Sequence, residues 1–148
     1  MNRTFLYGSH KILGAKFVNF SGWEMPIHYG SQINEHNCVR NDLGIFDVSH
    51  MNIFDFEGTE AQKFLRYVLT NDVGKVENSC ALYSVITNEK GGIIDDLIVY
   101  KFNNENFRVV SNCSTFENVK AFFEHNIKRF DCELIHQSNL GILAIQGP

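Results

Sequence analysis

Gly91-Gly92-Ile93-Ile94-Asp95-Asp96-Leu97-Ile98-Val99-Tyr100 reads as a turn opening into a strand, with two carboxylates set among β-branched and aromatic residues. An ionised carboxyl taken out of water without a partner costs several kcal/mol or changes its protonation. Side chains alternate along a strand, so the two acids point to opposite faces. One is then solvated. The other shares a face with Ile94, Ile98 and Tyr100, and that acid is Asp96. It is expected to be buried, and either to meet a cation inside the fold or to be kept for work on a ligand. The residues alone leave both open.

Outward from this strand the texture is regular. Residues 82–87 form the preceding strand, and Asn88-Glu89-Lys90-Gly91-Gly92 is the turn that joins the two into a hairpin. A polar turn at 103–106 leads to a third strand over 107–112. Upstream, Asn52-Ile53-Phe54-Asp55-Phe56 alternates like a strand and stops at Gly58. Thr59-x-x-Gln62 has capping-box form, and Ala61, Phe64, Leu65, Val68 and Leu69 follow at helical spacing. Downstream, Ser114-x-x-Glu117 is a second capping box, opening a helix with Val119, Phe122, Phe123, Ile127 and Phe130 on one face. Strands over 132–136 and 141–146 close the chain.

The order β-α-β-β-β-α-β-β predicts an α+β fold. An antiparallel sheet carries helices packed on it, in split β-α-β (ferredoxin-like) elements. Residues 1–50 read as irregular, with one helix over about 31–42 ended by Gly44. The expected division is 1–50 as part of a first domain, 51–140 as the α+β domain, and 141–148 as a strand returning to the first. Leu143-Ala144-Ile145-Gln146-Gly147-Pro148 stops on a turn signal directly after a strand, so further chain is expected to complete the first domain. Apolar surface near 1–50 and 141–148 is expected to be exposed for it.

At 148 residues and 44% apolar content the chain can fill one ordinary core, and thirteen phenylalanines argue for a well-filled one or an apolar groove. A net charge of −4 with no basic run speaks against nucleic acid as a partner. No stretch has the apolar length of a membrane span, and the N-terminus lacks the apolar region of a signal peptide. A cytoplasmic protein is expected. Cys38, Cys80, Cys113 and Cys132 form no C-x-x-C pair and are expected to be reduced, mostly buried thiols.

Asp47-Val48-Ser49-His50 holds the letters of a hydrolase triad. In an extended segment Ser49 and His50 face opposite ways, and no G-x-S-x-G turn frames the serine. Asp47 and Ser49 are expected instead to hold backbone N–H groups in a sharp turn. His28, His36 and His50 match no metal-ligand spacing, and no metal is expected. Tyr83 falls on the strand that neighbours Asp96, compatible with a shared pocket wall.

Five motifs in register carry a resemblance. Phe20-Ser21-Gly22-Trp23-Glu24-Met25-Pro26, Glu35-His36 with Val39-Arg40, Gly44-Ile45-Phe46-Asp47-Val48-Ser49-His50-Met51, Asn71-Asp72-Val73 and Gly91-Gly92-Ile93-Ile94-Asp95-Asp96 occur in that order. Together the chain resembles the glycine cleavage system T protein, the tetrahydrofolate-dependent aminomethyltransferase, in its N-terminal portion. The resemblance implies the T-protein folate-binding fold and a lipoylated H protein as partner. It implies release of ammonia from the aminomethyl-lipoyl arm, with 5,10-methylenetetrahydrofolate formed. Asp96 matches the family's key acid. Met51, Tyr83, Ile98 and Tyr100, with Asn112 nearby, match its pterin pocket. In the family, acidic, tyrosine and arginine residues later in the chain close that site. Folate-linked demethylases and the folate domains of dimethylglycine or sarcosine oxidising enzymes resemble this fold too and are the alternative reading, with a non-catalytic folate- or partner-binding fragment as a third. The text around Trp23–Pro26 and Asp47–Met51 lies closer to the glycine cleavage members.

Overall fold

The computed structural model describes all 148 residues. In chain order the elements are α1 (Tyr7–Ile12), β1 (Lys16–Phe20), β2 (Trp23–His28), α2 (Gln32–Asn41), β3 (Gly44–Asp47), β4 (Asn52–Glu57), α3 (Ala61–Val68), β5 (Cys80–Thr87), β6 (Ile93–Lys101), β7 (Asn106–Ser111), α4 (Phe116–Asn126), β8 (Glu133–His136) and β9 (Leu143–Gln146). They form two compact units: Met1–His50 with Asn139–Pro148, and Met51–Ser138.

The first unit is more regular than its sequence suggests. β1 and β2 make an antiparallel hairpin in which Phe20 faces Trp23, leaving Ser21 and Gly22 as a two-residue loop. Both loop residues have positive φ, 49° and 84°. That is the backbone such a tight turn needs if its twist is to match the strands. Pro26 disguises the hairpin in the sequence. A proline cannot donate to a ladder, yet this sheet has only two strands, and the register shifts beside the Phe17–Pro26 pair. α2 is capped by Ser31, whose hydroxyl accepts from the Asn34 N–H. β3 pairs antiparallel with β9, Gly44 opposite Gln146. Ile45, Leu143 and Ile145 on this pair are exposed.

The second unit is a five-stranded antiparallel sheet, ordered β5-β6-β7-β4-β8, with α3 and α4 against one face. The core lies between. Phe54, Phe56, Phe107, Leu97 and Val99 from the sheet meet Phe64, Leu65, Val119 and Phe123 from the helices, all buried. The phenylalanines pack edge to face, Phe123 at 5.0 Å from Phe56 and 5.7 Å from Phe54 between ring centroids. The predicted α+β class, antiparallel pairing and helix-on-sheet layering are all present. The turn before the aspartate strand uses Gly91 at φ 78°, and the Asn88 side chain accepts from the N–H groups of Lys90 and Gly92.

Neither expected capping box forms. The residue before α3 is Glu60, and the Thr59 hydroxyl donates instead to Asp131. Before α4 a short 3₁₀ turn over Cys113–Thr115 replaces the box, and the Thr115 hydroxyl turns inward to Asp95. At α3 the Asp131 carboxylate takes the Thr59 hydroxyl as a donor, and before α4 Ser114 sits inside the 3₁₀ turn instead of capping the helix. The cysteines also differ from expectation. Cys38 and Cys80 are exposed, and Cys113 and Cys132 are half-buried. Cys132 lies in apolar surroundings that push its thiol up to about 11.

Candidate functional site

Strand alternation does separate the two aspartates, but the buried one is Asp95, not Asp96. On β6 the residues Asp95, Leu97, Val99 and Lys101 face the helices, while Asp96, Ile98 and Tyr100 lie on the open face. Both sets are apolar enough to suit a core. The choice is made by α3 and α4, whose phenylalanines cover the Leu97–Val99 side. The desolvation expected of Asp96 is therefore absent.

Asp95 is buried without a cation. Its carboxylate accepts from the Asn112 backbone N–H (3.1 Å), the Asn112 Nδ2 (2.8 Å) and the Thr115 hydroxyl (2.8 Å). Three donors satisfy a buried carboxylate. Asp96 is held differently. Tyr83 Oη donates to its Oδ2 at 3.2 Å, and Asn112 Nδ2 approaches its Oδ1 at 3.1 Å. No ion pair engages it. The ion pair of this sheet joins the buried Asp55 to the half-buried Arg108, opposite each other on β4 and β7, with Gln137 donating to the same carboxylate.

The positions come from the register. Tyr83 on β5 lies opposite Ile98, and Val85 opposite Asp96, so the phenol reaches diagonally to the acid. Ser111, the last residue of β7, lies opposite Leu97, which leaves Asn112 beside Asp96. Asn52 Nδ2 donates to the Asn112 carbonyl at 2.7 Å and fixes that corner. Tyr83, 58% exposed, and the more covered Tyr100 and Ile98 present an apolar, aromatic face beside the acid. Partial burial, and then the bond to Asp96 and its charge, raise the Tyr83 phenol above its ordinary value, so it is a proton donor near neutrality. Met51 stands one residue before β4 and is half-buried; its place at the strand start is its only tie to the group. Arg108, opposite Tyr100 on the same face, escaped the sequence reading because an arginine in a strand signals nothing by itself.

The triad letters resolve as expected of a turn. Asp47 Oδ1 accepts from the Ser49 N–H at 3.0 Å, and the Ser49 hydroxyl accepts from the Ile142 N–H at 3.0 Å. The histidine at Asp47 is His10, 2.8 Å away, which in turn meets the Tyr29 hydroxyl at 2.6 Å. Burial raises Asp47, but hydrogen bonds from Ser49, Thr4 and His10 outweigh it and hold the carboxyl below its usual range. No three His, Cys, Asp or Glu side chains gather as a metal site. No helix is long and apolar enough to cross a membrane.

Residues 6–148 match the family model described as the GCVT N-terminal domain. The chain belongs to that family. It is 53% identical over all 148 residues to an aminomethyltransferase of Francisella tularensis subsp. tularensis, and 51% to one of Francisella philomiragia, covering 41% of each. Among solved structures it resembles the glycine cleavage system aminomethyltransferase T from Bartonella henselae, with a TM-score of 0.94 and 36% identity over 99% of this chain and 41% of that one. The GCVT N-terminal domain match thus takes in all but the first five residues of the chain, which spans about two fifths of the length of these relatives.

Proposed function

We propose that this chain carries the acid and one wall of the tetrahydrofolate site of a glycine-cleavage aminomethyltransferase. Asp96 is the acid. Tyr83, Ile98, Tyr100, Asn112 and Met51 are the wall. The observation that carries the reading is a carboxylate set on an open aromatic sheet face with one donor at each oxygen, in a chain of this family. The residues suit a pterin: flat apolar surface, one anionic group, and an amide.

A bound tetrahydrofolate would supply the N5 amine that takes the methylene carbon from the aminomethyl-lipoyl arm of an H protein, with ammonia leaving and 5,10-methylenetetrahydrofolate and dihydrolipoyl H protein formed. Asp96 holds negative charge where the amine nucleophile becomes positive, and accepts its proton when one is lost. Tyr83 and Asn112 fix the direction of that carboxylate, so little reorientation is needed at the moment of reaction. Tyr100 and Ile98 exclude water from one side of the ring. The lipoylated H protein is the partner and the cytoplasm the setting of this proposal.

The test is turnover in a protein of the relatives' length that includes these 148 residues. It should form methylenetetrahydrofolate from aminomethyl-loaded H protein, and Asp96→Asn should lower the rate by about 100-fold or more, the scale of a positioned acid–base group. Wild-type-like turnover in Asp96→Asn would remove Asp96 from the chemistry. Equal turnover of a free methylated amine without H protein would point to a demethylase.

A further inference from the structure

The Asn112 side chain lies between the two aspartates and touches both. Its Nδ2 is 2.8 Å from Asp95 Oδ1, and 3.1 Å from both the carbonyl oxygen and Oδ1 of Asp96. The amide nitrogen has two hydrogens. One is taken by the buried carboxylate, and the other is shared by the two oxygens of Asp96. The opposite amide orientation would set Oδ1 against these oxygens, lone pair against lone pair. The flip is therefore fixed by chemistry. With both hydrogens consumed, Oδ1 is the one polar atom of the side chain free to meet a ligand, and an amide oxygen can only accept.

Asp95 is what holds this arrangement. It grips Asn112 twice, through the backbone N–H and through Nδ2, and the Thr115 hydroxyl grips Asp95 from the start of α4. Because Asp95 is buried and fully satisfied, it cannot swing away to solvent as an exposed acid would. We propose that Asp95 is a positioning residue: it locks the Asn112 amide so that its N–H clamps Asp96 and its oxygen selects a ligand that presents an N–H donor beside that acid. The ligand class is a nitrogen heterocycle with a ring N–H or amino group. The inference rests on the folate-site reading for the ligand, but the amide lock itself does not depend on it.

Two measurements separate these parts, the first on this chain and the second on a protein of the relatives' length that includes it. In a nitrogen–proton correlation spectrum the Asn112 side-chain amide, assigned by its loss in Asn112→Ala, should be displaced from the solvent-exposed amides and exchange slowly. In Asp95→Asn it should move to the exposed region while backbone dispersion is retained. Thr115→Val should shift it part of the way, and Thr115→Ser should restore it. In the second measurement, tetrahydrofolate affinity should fall about tenfold in Asp95→Asn, on the scale of one charged hydrogen bond. It should fall severalfold in Thr115→Val and recover in Thr115→Ser. A purely structural Asp95 would lower the melting temperature but leave the affinity of the folded variant unchanged, and that result overturns the proposal. So does an Asn112 amide that is unmoved in Asp95→Asn. If Asp95→Asn does not fold, the Thr115 pair decides on the same criteria. A protein of the relatives' length that shows the locked amide yet binds no tetrahydrofolate refutes the folate reading and leaves the lock standing.

Discussion

The Asp55–Arg108 pair makes an asymmetric prediction about stability. Arg108 donates from Nε to Oδ1 at 2.7 Å and from Nη2 to Oδ2 at 2.8 Å, and Gln137 adds a third bond at 2.8 Å. The two ends differ in access to water: the aspartate side chain is 9% exposed, the arginine 32%. Arg108→Met leaves a nearly buried carboxylate with one neutral donor. Stranding a fully buried charge costs about 3–5 kcal/mol. Partial access here puts the loss near the low end, roughly 3 kcal/mol. Asp55→Asn keeps an acceptor for the guanidinium, which can also turn to water, so the cost is about 1 kcal/mol. Removing both charges with Arg108→Met and Asp55→Leu restores most of the stability, because an apolar pair of similar volume avoids the desolvation cost.

Urea unfolding followed by far-ultraviolet circular dichroism measures all four proteins. The slope with denaturant should stay constant, so that midpoints report stability alone. The order expected is wild type, then the double variant, then Asp55→Asn, then Arg108→Met. An aspartate substitution as costly as the arginine one would refute the argument from burial. So would an Arg108→Met loss below about 1 kcal/mol, which would mean the pair behaves as a surface contact.

Other outcomes follow from single features. Phe123→Ala should cost about 3–5 kcal/mol, because that fully buried ring meets Phe54, Phe56 and Phe64, whereas Phe123→Leu should cost less; denaturant midpoints decide. Gly58 has φ 142°, and a Cβ there would sit 2.5 Å from the Asp131 carbonyl oxygen. Gly58→Ala should therefore lower the melting temperature, by at least about 1–3 kcal/mol of strain in stability terms. His136, at the exposed end of β8, packs against the Phe54 and Phe116 rings, whose partial desolvation of the imidazole, and then Lys120, lowers its pKa. The unfolded chain then takes the proton more readily, so this contribution is complete above about pH 6.5 and is lost as pH falls through that value toward the folded one. His136→Gln should flatten the stability profile between about pH 5 and 7; an unchanged slope would exclude His136 as its source.

Much of the second unit was legible because its signals are local. Alternation at Asn52–Phe56, the polar turn 88–92 and the phenylalanine spacing on α3 and α4 each depend on neighbours a few residues away. What escaped depends on distant partners. Asp131, seventy-two residues on, takes Thr59 away from its capping role. Ser114 falls inside the 3₁₀ turn that the Thr115–Asp95 bond pins, so its box with Glu117 does not form. Pro26 hid a hairpin whose two-stranded sheet tolerates it. The face of β6 could not be read at all from one strand, since Ile94, Ile98 and Tyr100 are as apolar as Leu97 and Val99.

That last ambiguity bears on chemistry as much as on fold. A single carboxylate cannot be both a saturated structural acceptor and a group open to ligand. Full satisfaction uses its lone pairs, and openness gives up the burial that keeps it rigid. Two successive strand residues meet both demands, because consecutive side chains must leave the sheet on opposite sides. Asp95 takes the burial and three donors; Asp96 takes the open face with one donor at each oxygen. Asn112 belongs to both sets and carries the rigidity of the core acid through the sheet to the exposed one. The pair therefore works as a unit of unlike members, and exchanging their roles would need the helices to change face.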